Sequence, residues 1–106
     1  MTVPRAAQGS VAINVTTSGD HALVAAVTGR CIRLVQCGLM AAAAVGVKFD
    51  DGTSDLTGPF PLGANTGFVL GPSTLGYWLE TGVGNPLNIN LSLNTTVAGV
   101  LFYALV

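Results

Sequence analysis

Charge is what this 106-residue chain has least of. Asp, Glu, Lys and Arg make up 8 % of it, where an ordinary soluble domain carries about 25 %. The charged set is Arg5, Arg30, Arg33, Lys48, Asp20, Asp50, Asp51, Asp55 and Glu80. The formal net charge is −1 and no basic cluster exists, so nucleic acid is not an expected partner. So small a set cannot coat an isolated globule. Burial against other subunits is the expected remedy, because large exposed apolar patches mark interaction surfaces.

Histidine occurs once, as His21 beside Asp20. No motif places a serine nucleophile or a second imidazole around that pair, so a strand-edge surface position is expected, not catalysis. Phosphate loops, zinc spacings and nucleophile elbows are missing too. No enzyme activity, cofactor or metal is expected. The two cysteines, Cys31 and Cys37, sit on one expected strand with the same parity, about 20 Å apart. That is beyond disulfide reach, and both read as small buried hydrophobes.

Long apolar runs are also scarce. The best candidate, Leu34 to Val47, is broken by Gln36, Gly38 and Gly46 and falls short of the ~20 residues a spanning helix needs. A membrane barrel needs at least about 8 strands of ~10 residues, more than the chain can supply. The start, Met1-Thr2-Val3-Pro4-Arg5, has no signal-peptide core. The expected product is soluble, made in the cytoplasm, and without a membrane partner.

What the chain does have is alternation, with 50 % hydrophobic residues to supply it. Leu87, Ile89, Leu91 and Leu93 alternate with Asn88, Asn90, Ser92 and Asn94, the period-two signature of a half-buried strand. Asn94-Thr95-Thr96 reads as the turn of a hairpin leading to Val97–Val106. That last strand is apolar on both faces and so expected to be covered on both. Ser10 to Thr17 alternates likewise. His21 to Thr28 reads as a more interior strand after the turn Ser18-Gly19-Asp20. Cys31 to Met40 is a third strand, and Ala41 to Ala44 a connection, too short for a helix of its own. Val45, Val47 and Phe49 alternate up to Asp50-Asp51-Gly52, a turn signal read as a solvated hairpin turn. Prolines confine any strand within 53–66 to an edge. Gly67 to Leu70 and Gly76 to Thr81 are short strands, the second placing Trp78 and Glu80 on one face.

The sum is an all-β, single-domain β-sandwich of about eight short antiparallel strands, jelly-roll-like, over residues 10–106. Residues 1–9 form an N-terminal arm. Two features invite ligand readings. Asp50, Asp51 and Asp55 form an oxygen-rich turn of the kind calcium favours, but lack the closing glutamate of an EF-hand. Tyr77-Trp78 could stack on a sugar, anchor a protein interface, or simply pack in the core.

A further signal lies in the succession of short stretches. Leu23 to Leu34 reads Leu-Val-Ala-Ala-Val-Thr-Gly-Arg-Cys-Ile-Arg-Leu; Val-Gly-Val-Lys-Phe-Asp-Asp-Gly follows, and then Asp55-Leu56-Thr57-Gly58-Pro59. Gly76-Tyr77-Trp78-Leu79-Glu80-Thr81 and Gly84-Asn85-Pro86-Leu87-Asn88-Ile89-Asn90-Leu91-Ser92 then lead to an apolar strand with a tyrosine. From about residue 10 onward, this series resembles small β-sandwich structural proteins of tailed bacteriophages and prophages. The resemblance implies a head decoration, or cement, protein on the capsid surface, a homo-oligomer with trimer favoured, and the major capsid protein as partner. Phe60, Phe68, Tyr77 and Trp78 are the expected interface residues. The alternatives are a host-facing carbohydrate-binding head-fibre, tail or baseplate module, and a tail or head-completion part.

Overall fold

A computed structural model of the chain describes residues 9–74 and 76–106. Among them are nine strands and no helix. In chain order they are β1 (Gly9–Val15), β2 (Gly19–Val24), β3 (Ile32–Ala41), β4 (Val45–Asp50), β5 (Phe60–Leu62), β6 (Thr66–Leu70), β7 (Leu79–Glu80), β8 (Leu87–Leu91) and β9 (Val97–Leu105). They form two sheets, β1-β9-β3-β6 with β7 also on β3, and β2-β8-β4-β5. All pairings are antiparallel.

The pairs β1–β9, β2–β8, β3–β6 and β4–β5 are those of one long hairpin rolled into a sandwich, with β4 and β5 at its tip. That is jelly-roll connectivity; β7 is a two-residue addition on the free edge of β3. The all-β sandwich expected from alternation is therefore the fold found. Ala42 to Ala44 are a connection, and Pro61 lies on β5, an edge strand. Of the expected arm, residues 1–8 lie outside the described residues. Gly9 opens β1, where a Cβ would lie 2.7 Å from the Tyr103 ring.

The core lies between the sheets. Val45, Val47 and Phe49 from β4 meet Leu87, Ile89 and Leu91 from β8, with Ile13, Ile32, Leu34, Leu39, Val97 and Leu101 opposite. Phe49, Val47, Ile89 and Leu101 are wholly buried. Each such side chain contributes roughly 1.5–3 kcal/mol through burial.

Four expectations need correction. First, Leu87–Asn94 and Val97–Val106 are not a hairpin. β8 pairs with β2 and β4, and β9 with β1 and β3, so segment 92–96 crosses from one sheet to the other. A short polar connection fixes proximity of strand ends, not pairing. Second, the His21–Thr28 strand stops at Val24, and β2 is an edge rather than an interior strand. Residues 25–28 are exposed despite their apolar character. Third, β3 carries a bulge between Leu34 and Gln36 that inserts Val35. A bulge puts two residues opposite one and flips the parity beyond it. Ile32 and Leu34 therefore face the core before it, and Cys37, Leu39 and Ala41 after it. The two cysteines no longer share a face: Cys37 is buried, Cys31 half-buried, and both are free thiols. Fourth, within the chain β9 is not covered along the whole of its outer side; Ala98 and Val100 are exposed there, while Phe102 is half-buried and Ala104 buried.

Candidate functional site

No helix among the described residues is long and apolar enough to cross a membrane. Chemistry has to be sought on the outer faces and loops, and the two outer faces differ.

Outside β1-β9-β3-β6 the register sets the side chains in rows. Ser10, Phe102 and Gln36 form one; Ala12, Val100, Gly38 and Val69 the next; Asn14, Ala98 and Met40 a third. No charged residue stands in these rows. Val69 is 78 % exposed, Met40 57 % and Val100 40 %. Past the bulge at Val35 the same face turns polar. Arg33 Nε donates to Glu80 Oε2 at 2.6 Å, and its guanidinium lies 4.3 Å above the Tyr77 ring. This is a half-exposed ion pair with a cation–π contact, and solvent screens it.

Outside β2-β8-β4 the register aligns Asp20, Asn90 and Lys48 in one row and Ala22, Asn88 and Asp50 in the next. Asn90 donates to Asp20 Oδ1 at 2.5 Å, and Asn88 to Asp50 Oδ1 at 3.1 Å. The asparagines of β8 are thus more than solvated alternation partners; each orients an acid on a neighbouring strand. Lys48 Nζ lies 3.1 Å from Asp55. Asp20, Asn90, Lys48, Asp50 and Asp55, together with Thr53 and Ser54, line an open polar pocket of about 160 Å³.

The Asp50-Asp51-Gly52 turn is not solvated as expected. Asp50 and Asp51 are both buried, and they point to opposite sides of the strand end. Asp51 ties two loops together: it accepts from the backbone N–H groups of Thr53, Ser54 and Gly82 and from the Asn85 amide. Burial alone would raise its pKa, but these donors, Gly82 and Ser54 foremost, hold it at about 2. Asp50 is pushed up, by burial first and also by the neighbouring Asp20 carboxyl. Asp20 is held down, chiefly by the Asn90 amide. The oxygen-rich group read in sequence was Asp50, Asp51 and Asp55. The structure removes Asp51 from it and brings in Asp20, which no local pattern could indicate.

No protein family, curated protein or solved structure matches the chain.

The remaining candidates fall as follows. Phe60 and Phe68 meet with ring centroids 4.6 Å apart, a half-buried clasp between edge strands β5 and β6 of opposite sheets. Trp78 is 48 % exposed, with its indole N–H bonded to the Gly71 carbonyl and its backbone N–H to Leu34 O at 2.7 Å. Tyr77 lies beneath Arg33. His21 Nε2 lies 2.8 Å from Thr17 O and 3.2 Å from Thr17 Oγ1, while Asp20 turns to the opposite face. Burial pushes the Cys37 thiol up to about 11, which leaves it unreactive. An open apolar trough of about 460 Å³ lies between Pro59, Pro61, Leu62 and Leu93.

Proposed function

We propose that this chain is a structural protein of a bacteriophage virion, a decoration or cement protein that acts by contact and not by catalysis. The observation that carries the reading is the charge-free stretch of the outer face of β1-β9-β3-β6, away from the Arg33–Glu80 end, where Ala12, Val100, Met40, Val69 and Ala98 stand together in solvent. A free monomer gains nothing from such a face; an assembly buries it. Permanent interfaces are more apolar than transient ones, so this face is assigned to neighbouring copies of the chain, in a trimer. Trimers suit the points where three capsomers meet, and bridging there would add contact energy to the shell. The jelly-roll fold is compatible with this role but does not select it.

The test is location and consequence. Labelled particles viewed by electron microscopy are expected to carry the protein on the head. Particles lacking it should lose heat or osmotic resistance; equal resistance would overturn the reading. Trp78 favours a second reading, a sugar-binding module that faces the host, because its indole is half-exposed and anchored by its own N–H. Under that reading Trp78→Ala reduces adsorption to the host, whereas under the first it leaves adsorption unchanged.

A further inference from the structure

The pocket outside β2-β8-β4 contains a carboxylate oxygen with nothing to bond. Asp50 is 4 % exposed, and its Oδ2 has no hydrogen-bond partner among the described residues. Its Oδ1 is fully used, by the Gly52 N–H at 2.9 Å and the Asn88 amide at 3.1 Å. The Asp20 carboxyl lies within hydrogen-bonding reach of Asp50, so in acid a proton held on Asp50 can be shared with Asp20; once both are ionised, no donor stands between them. Leaving a buried anionic oxygen unpaired is costly, so a group of opposite sign belongs there.

Lys48 is the cation at hand, and its Nζ is bonded to Asp55 instead. Asp20, Asp50 and Asp55 against Lys48 leave two negative charges uncompensated in one pocket. Thr53 and Ser54 add oxygen-bearing side chains at its rim. Nothing in the pocket is a soft ligand, which sets aside metals that prefer thiolate or imidazole.

We propose that Asp20 and Asp50 form a calcium site, with Ca²⁺ bridging the Asp50 Oδ2 and Asp20 carboxylates over strand β8. No three acidic, histidine or cysteine groups converge as a ready-made ligand set among the described residues. The site therefore rests on two carboxylates, with hydroxyls and water completing the shell. Ca²⁺ accepts six to eight oxygens in loose geometry, whereas Mg²⁺ demands a near-ideal octahedron. An irregular, open pocket suits the former. Asn88 and Asn90 are positioning residues: each fixes one carboxylate by its Oδ1 and leaves the other oxygen to the ion. The bound ion would staple edge strand β2 to β4 and order the 51–55 loop.

The experiment uses the full chain, stripped with a chelator and then dialysed. Calorimetric titration with CaCl₂ alone, and in a separate run with MgCl₂ alone, reads binding directly. Wild type is expected to bind one Ca²⁺ per chain, and its melting midpoint to rise by roughly 10 °C when Ca²⁺ is a hundredfold above its dissociation constant. Asp50→Asn keeps the shape and the Asn88 contact and should abolish both signals; Asp20→Asn should do the same. Asn90→Ala should weaken binding on the order of 10- to 100-fold, as removal of an orienting partner does. Lys48→Met, which removes the competing charge, should tighten it. Absence of Ca²⁺ binding by wild type overturns the proposal. Binding retained in both aspartate variants overturns it as well, since the ion would then sit elsewhere. Preference for Mg²⁺ over Ca²⁺ overturns the assignment to calcium.

Discussion

On the outside of one sheet, Ala12, Val100, Met40 and Val69 stand side by side; on the outside of the other, the corresponding positions hold Asp20, Asn90, Lys48, Asn88 and Asp50. Both sets alternate with the same buried core, and both lie on strands of the same jelly roll. Core packing cannot distinguish them, because it involves only the inward positions. On the readings proposed above, the difference reflects what each face is built to meet: other protein on the apolar side, a cation on the acidic side. Perturbations that separate the faces from the shared core test that division.

The largest effect is expected where the apolar sheet is most tightly built. A Cβ on Gly99 would lie 1.9 Å from the Gly38 carbonyl oxygen, and one on Gly67 1.8 Å from that of Leu39. Both are backbone atoms of β3, approached from its two sides by β9 and β6, so no side chain can move aside. Gly99→Ala and Gly67→Ala are each expected to cost about 3 kcal/mol or more, measured by urea unfolding. Gly38→Ala is the contrast. Its Cβ would meet only Val69 Cγ2 at 3.6 Å, an ordinary contact, and its stability should stay within about 0.5 kcal/mol of wild type.

Next comes Asp51, which belongs to neither face and joins the loops at one end. Asp51→Asn puts an amide where the Gly82 N–H and Asn85 donors need an acceptor, or else where Thr53 and Ser54 do. The expected loss is roughly 2–3 kcal/mol at neutral pH. The pH dependence has a definite sign. The folded-state value of about 2 lies below the ordinary 3.8. Its stabilisation is in place above about pH 4 and is withdrawn as the pH falls through 2, by about 2 kcal/mol in all. Denaturant titrations from pH 5 to 2 should show that fall in wild type and a shallower one in Asp51→Asn. Asp50, one residue earlier, has the opposite sign. Its raised value means stability is full in acid and lost as the pH climbs through it. In metal-free buffer at neutral pH, Asp50→Asn is therefore expected to stabilise the chain slightly.

These two aspartates also mark the limit of what the sequence discloses. Local alternation identified the core strands, since Val45, Val47 and Phe49, and Leu87, Ile89 and Leu91, announce their face by period two. Prolines placed β5 at an edge by removing a donor. Events decided by distant chain could not be read. The bulge at Val35 reverses the face of β3 with no glycine or proline to signal it. β8 and β9 part into different sheets because β2, β4, β1 and β3 claim their edges. Asp20 reaches Asp50 across an intervening strand, and Asp51 meets Gly82 and Asn85 from another loop. In each case the missing information is a pairing between segments far apart in the chain, and only the assembled fold supplies it.

The smallest effect on stability, and the sharpest on the comparison, is expected from charge placed on the apolar face. Val100 lies between Ala12 and Gly38 in the middle of its row, its side chain in solvent. A lysine there keeps its stem on the sheet and its ammonium in water, so Val100→Lys should change the unfolding free energy by no more than about 0.5 kcal/mol. Burying that ammonium in a dry, self-associated interface would leave it without a partner, because no acid stands in the neighbouring rows. Sedimentation equilibrium should therefore find Val100→Lys dissociated where wild type is oligomeric. Ala22→Lys, on the outer face of β2, should leave association intact. If both variants associate as wild type does, the apolar face is not where copies of this chain meet, and the contrast between the two sides of the sandwich needs a different cause.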